Sequence, residues 1–151
     1  MKTAPALLWF LDGLAHVRGV SVELTMPYGA ASPMHVQDED EHVFVLDGRI
    51  SFEVAGETVE LSRGSSLVVP AGAEHSYRVE SKSGARWTAF TAQGKYAHFV
   101  RDVGRPAAPL GHPPVSPELT LADVVAITAA AADQGIQIVG PPAQLPLRLA
   151  A

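Results

Sequence analysis

The chain contains no cysteine, which excludes disulfides and thiolate metal sites and leaves any metal to nitrogen and oxygen ligands. Charge is scarce: 18% of residues are charged against 47% hydrophobic. That balance excludes a wholly disordered chain, because the apolar surface suffices to offset chain entropy. Basic residues are fewest where a nucleic-acid binder would need them. The eleven Lys and Arg are scattered singly, no cluster forms, and the net charge is −5, so a nucleic-acid partner is not expected. Long hydrophobic runs are also missing. The N-terminal run Ala6–Leu11 stops at Asp12 and is shorter than a typical signal-peptide core. Nothing approaches the ~18 apolar residues of a membrane span. The expectation is a cytoplasmic protein with neither membrane nor nucleic-acid partners. With 151 residues the chain suits one domain with a real core.

What is present up to about residue 94 is a series of short, alternating segments. Ser21–Met26 sets Val22, Leu24 and Met26 against Ser21, Glu23 and Thr25, and Arg49–Val54 sets Ile50, Phe52 and Val54 against Arg49, Ser51 and Glu53. A period of two marks strands with one buried face. Asp47-Gly48 and Ala55-Gly56 sit between such segments as hairpin signals. Closely spaced short strands predict an all-β sandwich or barrel. Ile50, Phe52, Val54 and Val69 are its expected apolar lining, and Phe44 is expected to pack between sheets. Beyond Gly94 the texture changes. Tyr96–Asp102 suits one or two helical turns, and Gly104–Pro117 is a Pro-rich connector. Leu121–Asp133 predicts a helix with Leu121, Val124, Val125 and Thr128 on one face, a capping-box start at Thr120 and Asp123, and a stop at Gly135. Ile136–Val139 is short and extended. The expected organisation is a β-barrel over residues 1–95 with an extension, 96–151, packed on the same domain.

Two segments carry candidate chemistry. The first runs from Gly29 through His35, Gln37 and Glu41 to Gly48; the second runs from Gly64 through Pro70 and Gly72 to His75. His35 and Gln37, two apart on a strand, share a face. Glu41 opens the next strand in line with Val43 and Val45, and His75 opens another in line with Tyr77 and Val79. Three neighbouring strands would bring His35, Gln37, Glu41 and His75 to one point. Two imidazoles and a carboxylate make the facial triad of non-haem Fe(II) sites, and Gln37 could add a weaker carbonyl oxygen.

These spacings resemble the two cupin motifs, G-x5-H-x-H-x3,4-E-x6-G and G-x5-P-x-G-x2-H-x3-N. Gln37 replaces the usual second histidine, and Val79 the usual terminal asparagine. The likeness covers roughly residues 6–95. The stretch His42–Gly48 and the C-terminal Gly135–Pro142 further resemble small quercetin-dioxygenase-like cupins. The resemblance implies a jelly-roll-type β-barrel with a short C-terminal helical extension. It also implies a divalent ion (Fe, Mn, Ni or Zn) on His35, Gln37, Glu41 and His75, and a small, largely apolar oxygenated or aromatic substrate. The reaction implied is dioxygenation, with Glu41 as ligand, general base, or both. Two other readings stand beside it: a non-redox cyclase or isomerase of the polyketide type, and a metal-free binding protein. Cupins often dimerise, so a homodimer is expected.

Blander roles compete residue by residue. His35, Glu41 and His75 taken singly suit ordinary strand ends; their joint spacing favours a shared site. Gln37 can ligate a metal or hydrogen-bond a ligand or water. Tyr77 is a wall residue or a catalytic phenol near the ligand. Asp38, Glu39 and Asp40 read as a solvated acidic loop. His42 has the parity of the outer face, His16 reads as a surface or packing residue, and His98 and His112 receive no role.

Overall fold

The computed structural model describes residues 5–107 and 120–141; most of the expected Pro-rich connector, and His112, lie outside them. The chain runs through β1 (Ala6–Phe10), β2 (Gly13–Arg18), β3 (Ser21–Met26), β4 (Met34–Gln37), β5 (Glu41–Asp47) and β6 (Arg49–Val54). It continues through β7 (Glu57–Ser62), β8 (Ser66–Val69), β9 (His75–Val79) and β10 (Ala85–Phe90). Then come α1 (Lys95–Val103), the short β11 (Arg105–Pro106), α2 (Leu121–Asp133) and β12 (Ile136–Gly140). One sheet has the order β11-β1-β2-β3-β10-β5-β8 and the other β12-β4-β9-β6-β7. The expected all-β jelly roll thus takes the form of two antiparallel sheets, and among the described residues no ladder closes them into a barrel.

The alternation read from the sequence decides which face is buried. Val22, Leu24 and Met26 of β3 face the core, as do Ile50 and Phe52 of β6. Leu24 lies opposite Trp87 of β10 in register, and Trp87 and Phe52 are among the largest fully buried side chains. Each such burial contributes roughly 1.5–3 kcal/mol. Phe44 departs from expectation: on β5 it alternates with the buried Val43 and Val45 and is exposed on the outer face.

The two turn signals come apart. Ala55-Gly56 makes a two-residue hairpin between β6 and β7, with Val54 opposite Glu57 and positive φ at both turn residues, 49° and 85°, as a type I′ turn requires. Asp47-Gly48 makes no hairpin. β5 pairs with β10 and β8, whereas β6 pairs with β7 and β9, so the chain crosses there from one sheet to the other. Gly48 has φ 82°, and a Cβ on it would collide with the Gly84 carbonyl and the Ser81 hydroxyl. The crossing is therefore tight enough to demand glycine.

Both helices come after β10. α1 buries Tyr96, Ala97, Phe99 and Val100 and packs on β1 and β2. α2 opens on the expected capping box: Asp123 N–H donates to the Thr120 hydroxyl at 3.1 Å, and Thr120 N–H donates to Asp123 Oδ2 at 2.9 Å. It ends before Gly135 at φ 69°. The inward face of α2 is not the one expected. Leu121, Val124, Val125 and Thr128 are exposed, while Ile127 and Ala130 are half-buried and Ala131 is buried. The helix is apolar nearly all round, so periodicity had no polar face to discriminate against. β12 then adds itself antiparallel to β4, with Ile136 opposite Gln37 and Ile138 opposite His35. No helix among the described residues is long and apolar enough to cross a membrane.

Candidate metal and small-molecule site

His35 and His75 face each other across the β4–β9 ladder, in register, with ring centroids 4.1 Å apart. Glu41 approaches from β5, in the opposite sheet. The expectation of three neighbouring strands is thus corrected: two adjacent strands supply the imidazoles, and the carboxylate reaches across the sandwich. The reason is the sheet crossing at Gly48, which puts β5 and β6 in different layers. All four expected ligands are buried, with exposures of 9% for His35, 4% for Gln37, 6% for Glu41 and 2% for His75.

Hydrogen bonds fix which imidazole nitrogen is available. His35 Nδ1 lies 2.8 Å from the Pro33 carbonyl and His75 Nδ1 lies 3.0 Å from the Ala73 carbonyl. A carbonyl only accepts, so each Nδ1 carries a proton and each Nε2 is left for other work. His75 Nε2 stands 3.2 Å from Glu41 Oε2, a contact that needs a proton or a cation between the two. Burial by itself depresses His75. The hydrogen bond and charge of Glu41, with the Ala73 carbonyl, outweigh it and leave its pKa raised. Burial, aided by repulsion from His75, lowers the pKa of His35 despite the Pro33 carbonyl and Glu41. The 3.2 Å contact thus draws a proton toward His75 Nε2, while His35 is pushed toward its neutral form.

Gln37 is the unusual member. Both polar atoms of its amide are buried and have no hydrogen-bond partner among the described residues, a costly state unless something else meets them. Among the described residues no three His, Asp or Glu side chains already stand together as a metal cage. The donor set nevertheless suits a divalent ion: two Nε2 atoms with correctly held rings, one carboxylate, and an orphaned amide oxygen.

His35, Glu41, His75 and Tyr77 border one pocket of about 610 Å³, its open mouth included. Its walls are apolar. Leu24, Phe52 and Trp87 come from the inner sheet faces, Phe10 from the end of β1, Leu11 from the β1–β2 turn, and Tyr96 and Phe99 from α1. Ile127 of α2 and Ile136 and Ile138 of β12 close the remaining side. None of the described lining residues is Lys or Arg. An apolar pocket with few convergent polar groups is the usual form of a small-molecule site. The wall from α1, α2 and β12 was not foreseen. Its signals were the apolar stripe Tyr96, Phe99 and Val100 and the alternation Ile136, Ile138, neither of which points to a partner in sequence.

The acidic loop proves to be structural. Glu39 accepts from the backbone N–H groups of Gln93 and Lys95 at the start of α1, where Gly94 offers no side-chain cap. Asp38 pairs with Lys95 at 2.7 Å, and Asp40 accepts from Ala71 N–H at 2.8 Å. The segment joining Gln37 to Glu41 is thereby tied to α1 and to the turn before His75. His42 sits on the outer face as expected, its ring stacked on Phe90 with centroids 4.7 Å apart.

Residues 22–91 match the family model described as the cupin domain. These residues are a cupin domain. The cupin carries the family's spacing from Gly29 to His75 but holds Gln37 and the buried Val79 at two motif positions. It is 37% identical over 106 residues to a quercetin 2,3-dioxygenase of Bacillus subtilis (strain 168), covering 70% of this chain and 31% of that protein. The chain thus spans about a third of the length of that curated relative. A solved RmlC-like cupin from Shewanella frigidimarina NCIMB 400 matches with a TM-score of 0.52 at 19% identity, over 58% of this chain and 83% of that one. The structure of Drosophila melanogaster CENP-C bound to CAL1 matches with a TM-score of 0.52 at 11% identity, over 61% and 81%. These two likenesses concern the fold alone; what the cupin does must be argued from its site.

Proposed function

We propose that this cupin is a metal-dependent enzyme acting on a small, largely apolar oxygenated or aromatic molecule, with dioxygenase-type chemistry. The observation that carries the reading is the junction of two features. An aromatic-walled pocket opens onto two imidazoles whose Nδ1 atoms are tied to carbonyls, beside a buried carboxylate. His35 and His75 would hold the ion through Nε2, Glu41 would supply the one formal negative charge, and Gln37 its amide oxygen. When bound, a divalent ion supplies Lewis acidity toward substrate oxygens and brings them next to O2. The residues do the rest. Glu41 Oε2 takes a proton from a substrate hydroxyl as general base. Tyr77, whose buried phenol is held protonated well above its ordinary range by burial and by the charges of Asp12 and Glu41, donates a hydrogen bond. The apolar walls exclude water. Dioxygenation places both atoms of O2 in the product and needs no separate reductant. The 37% identity to the quercetin 2,3-dioxygenase supports the reaction class. The test is oxygen uptake by metal-loaded protein offered quercetin. Uptake lost in Glu41→Gln supports the reading, and no uptake from any offered flavonol or enediol counts against it.

One observation favours a second reading. His75 Nε2 and Glu41 Oε2 stand 3.2 Å apart in a buried site, a pair that could pass a proton to and from a substrate and steer enolisation without redox chemistry, as a cyclase or isomerase does. Product formed from an enolisable ketone without oxygen uptake would favour it. Association as a homodimer belongs to the same proposal.

A further inference from the structure

The pocket holds two phenols whose hydroxyls have no partner among the described residues. Tyr77 on β9 and Tyr96 on α1 both line it and are both almost fully buried, at 8% and 7% exposure. Neither hydroxyl makes a hydrogen bond to any described residue. A buried tyrosine hydroxyl ordinarily finds one, so a pair that faces a cavity instead is a pair waiting for a ligand. The two sense one another: burial, then Tyr77, then Glu41 hold the Tyr96 pKa well above its usual range. A tyrosine hydroxyl is a hydrogen-bond donor in its ordinary protonated form, so each phenol can donate to a ligand in the cavity.

The rings themselves are fixed. Tyr77 packs edge-on against Trp87 at 5.0 Å, and Tyr96 packs edge-on against Phe10 at 6.4 Å. Tyr96 is held from behind as well. Its neighbour Lys95 receives the Glu39 tether at its backbone and the Asp38 ion pair at its side chain. The loop between Gln37 and Glu41 thus sets where α1 begins. The described lining residues include no Lys or Arg to meet an anionic group, and the Glu41 carboxyl already stands beside the His75 imidazole, so an uncharged ligand suits the pocket better than a carboxylate or phosphate.

We propose that Tyr96 is a specificity-determining residue which, together with Tyr77, donates a hydrogen bond to an acceptor oxygen on an uncharged aromatic ligand. This rests on reading the pocket as a small-molecule site, but not on the metal or the reaction. A ligand that presents its flat face to Phe52, Trp87 and Phe99 and a carbonyl to the two phenols meets both the apolar walls and the two hydroxyls. The same molecule without its oxygen keeps the apolar contacts and strands both donors.

The test uses two probes of one shape: 1-tetralone, which carries a carbonyl, and tetralin, which lacks it. Affinities for the full chain are read by tryptophan fluorescence with chelator present throughout, for the parent, Tyr96→Phe and Tyr77→Phe. Loss of one neutral hydrogen bond should cut the preference for the ketone roughly three- to tenfold in Tyr96→Phe. Tetralin affinity should stay unchanged, which shows that the pocket has kept its shape. A fall in both affinities together would make Tyr96 a packing residue and overturn the proposal. So would a parent that binds neither probe, or one that prefers neither. Because no metal or oxygen enters the measurement, a selective pocket in a chain that fails the oxygen-uptake test would sink the reaction and leave this inference standing.

Discussion

Replacing Glu41 by Gln keeps the side chain's shape and removes its charge. Glu41 Oε2 lies 3.2 Å from His75 Nε2, with the residues 6% and 2% exposed. At that distance and an effective dielectric near 20 the gross attraction is about 5 kcal/mol, most of which is offset by the cost of taking both charges out of water. In Glu41→Gln the imidazolium loses its partner, but His75 can shed its Nε2 proton and accept a hydrogen bond from the new amide. The net loss of stability at neutral pH in metal-free protein should therefore be about 1–2 kcal/mol rather than the ~3–5 kcal/mol of a stranded buried charge. The sign with pH follows from the raised pKa of His75. Its contribution is complete below the unfolded-state value of about 6.5 and disappears as pH rises through the higher folded-state value. The parent and Glu41→Gln should thus differ most under mildly acidic conditions and converge at alkaline pH. Urea denaturation at several pH values, with chelator present, measures this. A gap that widens as pH rises would refute the ion pair. In the same variant metal content should fall at least tenfold, since the site loses its one formal charge; unchanged metal content and turnover would show that Glu41 is no ligand.

Gln37→His should increase metal occupancy, because imidazole ligates better than an amide and the orphaned polar atoms disappear; unchanged occupancy in elemental analysis would mean that Gln37 does not face the ion. Leu11 takes φ 51° at the pocket mouth, so Leu11→Gly should raise stability by roughly 0.5–1 kcal/mol while weakening ligand binding, as seen in a higher urea midpoint and a higher Kd; a lower midpoint would contradict the strain. Glu39→Ala should cost about 1 kcal/mol by uncapping α1 and should loosen ligand binding through Tyr96, whereas an unaltered midpoint would free the acidic loop from that role. Light scattering should return a dimer mass; a mass near 15.9 kDa at micromolar concentration would contradict the homodimer.

The strands and the outer parity of His42 were legible in the sequence because they depend on a period of two that neighbours enforce locally. The meeting of His35, Glu41 and His75 was legible because many fixed spacings agreed at once. What was hidden depended on which sheet a strand joins. Asp47-Gly48 has hairpin chemistry, yet it serves as a crossing, since only the tertiary pairing of β5 with β10 and β8 distinguishes the two. Glu41 consequently faces the imidazoles across the sandwich instead of beside them. Asp38 and Asp40 are exposed, as a solvated loop would be, but the partners of the three acids, the Lys95 ammonium for Asp38 and backbone N–H groups at residues 71, 93 and 95 for Asp40 and Glu39, are distant in sequence and so were hidden. α2 offered no polar face by which to choose its inner one, so Ile127 went unnoticed as a pocket wall. Tyr96 carried no motif at all and gains meaning only from the cavity it borders.

The most direct measurement is the metal content of the untagged chain, parent beside His75→Ala, after purification and dialysis. The account predicts close to one divalent ion per chain in the parent and almost none in the variant. A parent that holds no divalent ion, and takes up none of Fe, Mn, Ni or Zn when each is offered, would contradict the metal centre and leave the pocket as a binding or proton-transfer site.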